Sequence, residues 1–164
     1  MRRIGLTGLA LATGIVTLAS CADMPQTAAN TPAEAAVSAL WQEQHKALDA
    51  HDIAGVMGTF ADSDDIMLMG TGPGEHWVGK EEVKDAYAQF MKDFDPNTKE
   101  VECGEGAGTS EDNVAWLTAV CDFKDKKGNE SRHFILNVSA VLVRQGDTWR
   151  FHTMHYSQIL GGGS

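Results

Sequence analysis

The stretch GDTWRFHTMHYSQIL, residues 146–160, decides how the chain is to be folded. It leaves a turn and runs on through aromatic and β-branched residues, the pattern of a strand. Side chains alternate along a strand, so Trp149, Phe151, Thr153, His155 and Ser157 share one face. Arg150, His152, Met154, Tyr156 and Gln158 share the other. The first row is the candidate interior. A two-residue turn at Gln145 and Gly146 sets Leu136 opposite His155 and Val138 opposite Thr153, on a side that also collects Phe134, Ala140 and Leu142. A three-residue loop inverts the pairing and brings Asn137 and Ser139 there instead. The first register joins two apolar rows and is the one expected.

Working back, strands are expected at about 98–106, 113–123 and 130–143, before the last at 148–159, with turns at GTSED, KKGN and QGD. KEEVKDAYAQFMKDF, residues 80–94, is a helix whose Val83, Tyr87, Phe90 and Phe94 form a stripe, and DPN stops it. GTGPGEHWVG, residues 70–79, reads as a loop, and DDIMLMG as a short strand. HDIAGVMGTF reads as a short helix capped by Asp52. The first helix starts at TPAE, where Thr31 can cap, Pro32 fits the first turn and Glu34 completes a capping box. It runs to about Ala50 with Val37, Trp41, Gln44 and Leu48 on one face, and Gln44 is the polar exception there. Helix, helix, strand, loop, helix and a four-strand meander make an α+β order, a curved antiparallel sheet wrapped around its helices.

The same order, with MGTGPGEHWVGKEEV carrying Trp77 and Gly79 into the third helix, DNVAWL opening a strand, and GDTWRFHTMHYS closing the chain, resembles the SnoaL-like members of the nuclear transport factor 2-like superfamily. The likeness runs from about Ala33 to Ile159. It implies a cone of sheet around three N-terminal helices. The superfamily includes isomerases, cyclases, dehydratases and pocket proteins, so the likeness sets a fold and leaves the chemistry to the site.

Mostly apolar walls with a few placed polar groups suit a small-molecule pocket. The expected lining is Trp41, Gln44, Trp77, Leu136, Thr153, His155 and Ser157, with the two tryptophans as mouth or as plain core. The expected function is binding of a small, largely apolar molecule. An isomerase, cyclase or hydrolase using His155 as general base is the alternative, because burial keeps an imidazole neutral and its lone pair available. A purely structural, hydrogen-bonded His155 is the competing role. A dimerising module with a closed pocket, using the bare sheet face, is the third reading. Neither a base set against an oxyanion donor nor a Gly-x-Ser-x-Gly nucleophile is legible. His152 and His155 fall on opposite faces, and His45, His51, His76 and His133 have no ligand spacing, so no metal and no cofactor are expected.

The first twenty residues, MRRIGLTGLALATGIVTLAS, have the basic head, apolar run and small residues of a secretory signal. LASC then resembles the lipobox of bacterial lipoproteins, which implies acylation at Cys21. With Ala22 next, this implies the periplasmic face of the outer membrane in a Gram-negative source. Residues 21–31 serve as lipidated cysteine and tether, 32–160 as the domain, and GGGS at 161–164 as a flexible tail. Loss of the signal leaves 11 of the 13 basic residues against 23 acidic ones, a net charge of −12 that repels nucleic acid. Cys103 and Cys121 remain as an even pair. A hairpin centred near Asp112 sets them opposite each other as a disulfide.

Overall fold

The computed structural model describes residues 32–158. Helix α1, Pro32–Asp49, buries Leu40, Gln44 and Leu48 at a spacing of four, one stripe of its surface. It ends where His51 takes the left-handed conformation at φ 56° and Asp52 N–H returns to the Ala47 carbonyl. Asp52 then caps α2, Ile53–Gly58, by accepting from Gly55 N–H at 2.9 Å. Thr31, which was to cap α1, and the Glu34 side chain lie outside what is described, as do the signal sequence, Cys21, the tether and the tail.

Helix α3, Lys80–Phe90, runs into one 3-10 turn, Met91–Asp93, and buries Val83, Tyr87 and Met91. Gly79 precedes it at φ 92°, where its N–H reaches the Ile66 carbonyl at 2.8 Å and a β-carbon would meet the Asp64 carbonyl at 3.2 Å. Only glycine takes that conformation without strain.

The six strands are β1 Met67–Met69, β2 His76–Val78, β3 Glu100–Glu111, β4 Val114–Lys127, β5 Glu130–Gln145 and β6 Thr148–Gln158. Their order is β2-β1-β6-β5-β4-β3, antiparallel throughout except that β1 runs parallel to β6. Strand β2 lies inside the stretch expected to be loop. Glu75 closes the turn before it by accepting from Gly72 N–H through its carboxylate and from Gly70 N–H through its carbonyl, which returns Trp77 to pair with Leu68.

The register of the last hairpin corrects the expected one. The turn residues are Gly146 and Asp147, Gln145 faces Thr148, and Leu142 faces Phe151. The next pair is Val141 with Thr153, so His152 is an extra residue in a β-bulge. A bulge of one residue inverts the alternation beyond it. Phe151 and Met154 are therefore both fully buried, and Met154 and Tyr156 turn inward beside Ala140 and Val138. Thr153, His155 and Ser157 turn outward, opposite Val141, Ser139 and Asn137. The cause is on the other edge of β6. Phe151 exchanges backbone hydrogen bonds with Thr59 and Ala61, whereas Thr153 starts the parallel pairing with β1 at Met67, so the strand changes partner at the bulge.

A second bulge shapes the first long hairpin. Its turn is at Asp112 and Asn113, its centre half a residue later than expected, and Gly108–Glu111 belong to β3. The shift between Cys103 and Gly106 restores the offset, so Cys103 faces Cys121 and the two are joined as a disulfide.

Candidate functional site

A cavity of about 960 Å3 opens between α3 and the concave face of the sheet. Its inner wall comes from residues that the alternation of β4 to β6 turns inward: Phe123, Phe134, Leu136 and Tyr156. Trp77 and Leu68 close one side from β2 and β1, Tyr87 and Phe90 another from α3, and His45 and Leu48 the floor from α1. The exposed members of the lining, Glu82, Asp85 and Asp93 among them, mark the mouth and make it acidic.

Lys99 is the unusual member of this wall. It precedes β3 in the row Lys99, Val101, Cys103, so the strand carries it to the same concave side as the disulfide, facing Asp125 across the sheet. Its side chain is only 2% exposed, and its Nζ is 3.7 Å from Asp125 with no hydrogen-bond partner among the described residues. Four phenylalanine rings, Phe90, Phe94, Phe123 and Phe134, surround the ammonium at 4.9 to 5.7 Å from their centroids, within cation–π range. Asp125 is itself occupied, receiving Arg132 Nε at 2.6 Å on one oxygen and Nη2 at 2.8 Å on the other. Burial lowers the Lys99 pKa from its ordinary value, and the nearby Asp125 carboxylate opposes that shift.

His45 supplies the complementary polarity. Its Nδ1 is 3.0 Å from the Trp41 carbonyl, which can only accept, so Nδ1 carries the proton and Nε2 the lone pair. That Nε2 is buried without a partner among the described residues. Burial pushes the His45 pKa down to about 4 against the opposing Trp41 hydrogen bond, with the Lys99 charge adding to the fall. The ring is therefore neutral at pH 7. Burial likewise raises the Tyr87 and Tyr156 phenols, so both keep their protons, and Gln44 Nε2 lies 3.4 Å from the Tyr87 hydroxyl and 2.9 Å from Met154 sulfur.

Of the residues expected to line the pocket, Trp77 and Leu136 do so. Gln44 is wholly buried behind the wall, and Trp41 packs against His45 with ring centroids 4.1 Å apart and the planes tilted by 38°. Thr153, His155 and Ser157 are on the outer face, where His155 Nδ1 lies 3.4 Å from Ser139 Oγ. His152 Nε2 lies 3.3 Å from Asp65. Lys99 and His45 are not among the residues expected from the sequence, although the alternation of Lys99 and Val101 against Glu100 and Glu102 is a usable signal for the former.

The family model for the SnoaL-like domain matches residues 37–161. Among solved structures, a protein of unknown function from Pseudomonas putida, described as NTF2-like, is 17% identical with a TM-score of 0.66, over 80% of this chain and 89% of its own. A ketosteroid isomerase-like protein from Erwinia carotovora atroseptica is 21% identical with a TM-score of 0.60, over 77% and 96%. A nuclear transport factor 2 superfamily protein from Salmonella enterica is 18% identical with a TM-score of 0.65, over 78% and 93%. No curated protein matches the chain. At these identities the structural neighbours share the fold, and the chemistry rests on the residues of this cavity.

Proposed function

The chain belongs to the SnoaL-like domain family, and we propose that it binds a small, largely apolar molecule in the cavity between α3 and the sheet. The observation that carries this reading is the cavity itself, about 960 Å3 walled by Trp77, Tyr87, Phe90, Phe123, Phe134 and Tyr156. That size and an aromatic inner wall with polar groups set around it are what ligand pockets have. Native mass spectrometry of the protein taken from its own envelope should find a retained small molecule. The neutral dye Nile red should bind with one saturable site, and absence of saturable binding would overturn the reading. LASC after the signal pattern supports delivery of the domain on a lipid anchor at Cys21. Cys21→Ser should move it from membranes to the soluble fraction.

A turnover reading passes from His155, which is on the outer face, to His45, whose buried and neutral Nε2 belongs to a residue on the cavity wall. Deuterium exchange beside the carbonyl of a bound ketone, abolished by His45→Gln, is the outcome that would support it; exchange that persists in the variant removes His45 as the base.

The dimer reading rests on the outer face, where Trp116 pairs with Val141 and Val114 with Val143 on adjacent strands, and Val114, Trp116 and Val141 are exposed. A second copy of the chain is its proposed occupant. Sedimentation should give a dimer that Trp116→Glu converts to monomer, and a monomeric wild type ends this reading.

A further inference from the structure

Resting on the small-molecule reading of the cavity, we propose that its ligand is a monocarboxylate with an apolar body, seated carboxylate-inward on Lys99. Three charges meet at that end, the buried Lys99 and Asp125 and the part-exposed Arg132. Arg132 takes both oxygens of Asp125, which leaves the Lys99 ammonium 3.7 Å away with no hydrogen-bond partner among the described residues. The other nearby acid, Asp49, already accepts from the Lys99 backbone N–H at 2.7 Å through Oδ1. Buried charges are stable when paired and hydrogen-bonded, and here Lys99 is the buried charge left without a hydrogen bond among the described residues. The four phenyl rings soften that cost without supplying an acceptor. Phe90 and Phe134 are only half-buried and line the cavity, so the path from the cavity to the ammonium runs past these two rings.

The mouth selects against a second negative charge. Glu82, Asp85 and Asp93 lie on the exposed helical side of the lining. An acid whose far end is neutral passes them with its single charge directed inward, whereas a diacid leaves one carboxylate facing three others. The ligand class is therefore the monoacid, with an aromatic or aliphatic body to fill the phenylalanine and tyrosine wall.

The test displaces Nile red from the full mature chain with 4-phenylbutyrate, 4-phenylbutanol and the para-carboxylated diacid of the same skeleton. In the wild type the monoacid should compete at least about tenfold better than both the alcohol and the diacid, and excess salt should narrow the first difference. Lys99→Met, with its own dye affinity measured first, should bring monoacid and alcohol within about twofold of each other, since Asp125 keeps Arg132. Equal competition by acid and alcohol in the wild type overturns the carboxylate anchor while leaving the cavity reading intact. A dye that never binds overturns both. The wild-type comparison stands even if the variant does not fold.

Discussion

Arg132 closes on Asp125 with both arms of its fork, at 2.6 and 2.8 Å, and so fixes the end of β4 to the start of β5 beneath a buried lysine. The Asp125 side chain is fully buried, and it is the only carboxylate that both cations approach within 4.0 Å among the described residues. Asp125→Ala should therefore lower stability by about 3 to 5 kcal/mol, the usual cost of orphaning a buried ion-pair partner. Urea denaturation measures this, and a loss below about 1 kcal/mol would show that the cluster is solvated.

His45 makes stability depend on acidity. Its folded pKa of about 4 lies below the ordinary 6.5. Between those values the unfolded chain binds the proton and the folded chain does not, so stability falls as the pH drops from about 6.5 to 4. The drop is worth about 3 kcal/mol at its fullest. Unfolding midpoints followed across this window should flatten in His45→Gln, and a slope unchanged by the substitution contradicts the buried neutral imidazole. Well above pH 6.5, where both states are neutral, this residue contributes no pH dependence.

The bulge at His152 separates two neighbouring residues by face. Tyr156→Leu should weaken Nile red binding several-fold, because the phenol belongs to the cavity wall, while His155→Ala should change it by less than about twofold. Fluorescence titration reads both. The reverse order of effects would restore the register without a bulge.

The link from Cys103 to Cys121 closes a loop with a sequence separation of 18 between an edge strand and its neighbour. Replacing both with serine should cost about 2 to 4 kcal/mol by freeing that loop in the unfolded chain. Chemical denaturation with and without reductant should give the same difference. Two free thiols in unreduced, denatured protein would remove the bond from the account.

Residues near in sequence determined much of the fold. The stripe Val83, Tyr87 with the cap at Asp52 marks helices through contacts within one or two turns, and the long strands follow from period-two alternation and turn chemistry. The order of these elements was enough to reach the family. Cys103 and Cys121 were matched correctly, even though the centre of their hairpin was placed half a residue early, because a bulge between Cys103 and Gly106 made good the difference.

Tertiary structure decided the site. Thr59 and Ala61 grip Phe151 from far upstream while β1 takes Thr153, and the change of partner inserts His152 and turns three expected pocket residues outward. No local pattern in 146–160 carries that information, since alternation is a property of one strand and a bulge here is a property of its neighbours. Lys99 shows the same division. Its face was readable from Val101 and Cys103, but its burial depends on Phe90 and Phe94 arriving from α3 and its turn, and on Arg132 reaching Asp125 from β5 before the lysine can. A charge's surroundings are set by whatever packs around it in space, and for this lysine those groups come from four separate segments of the chain.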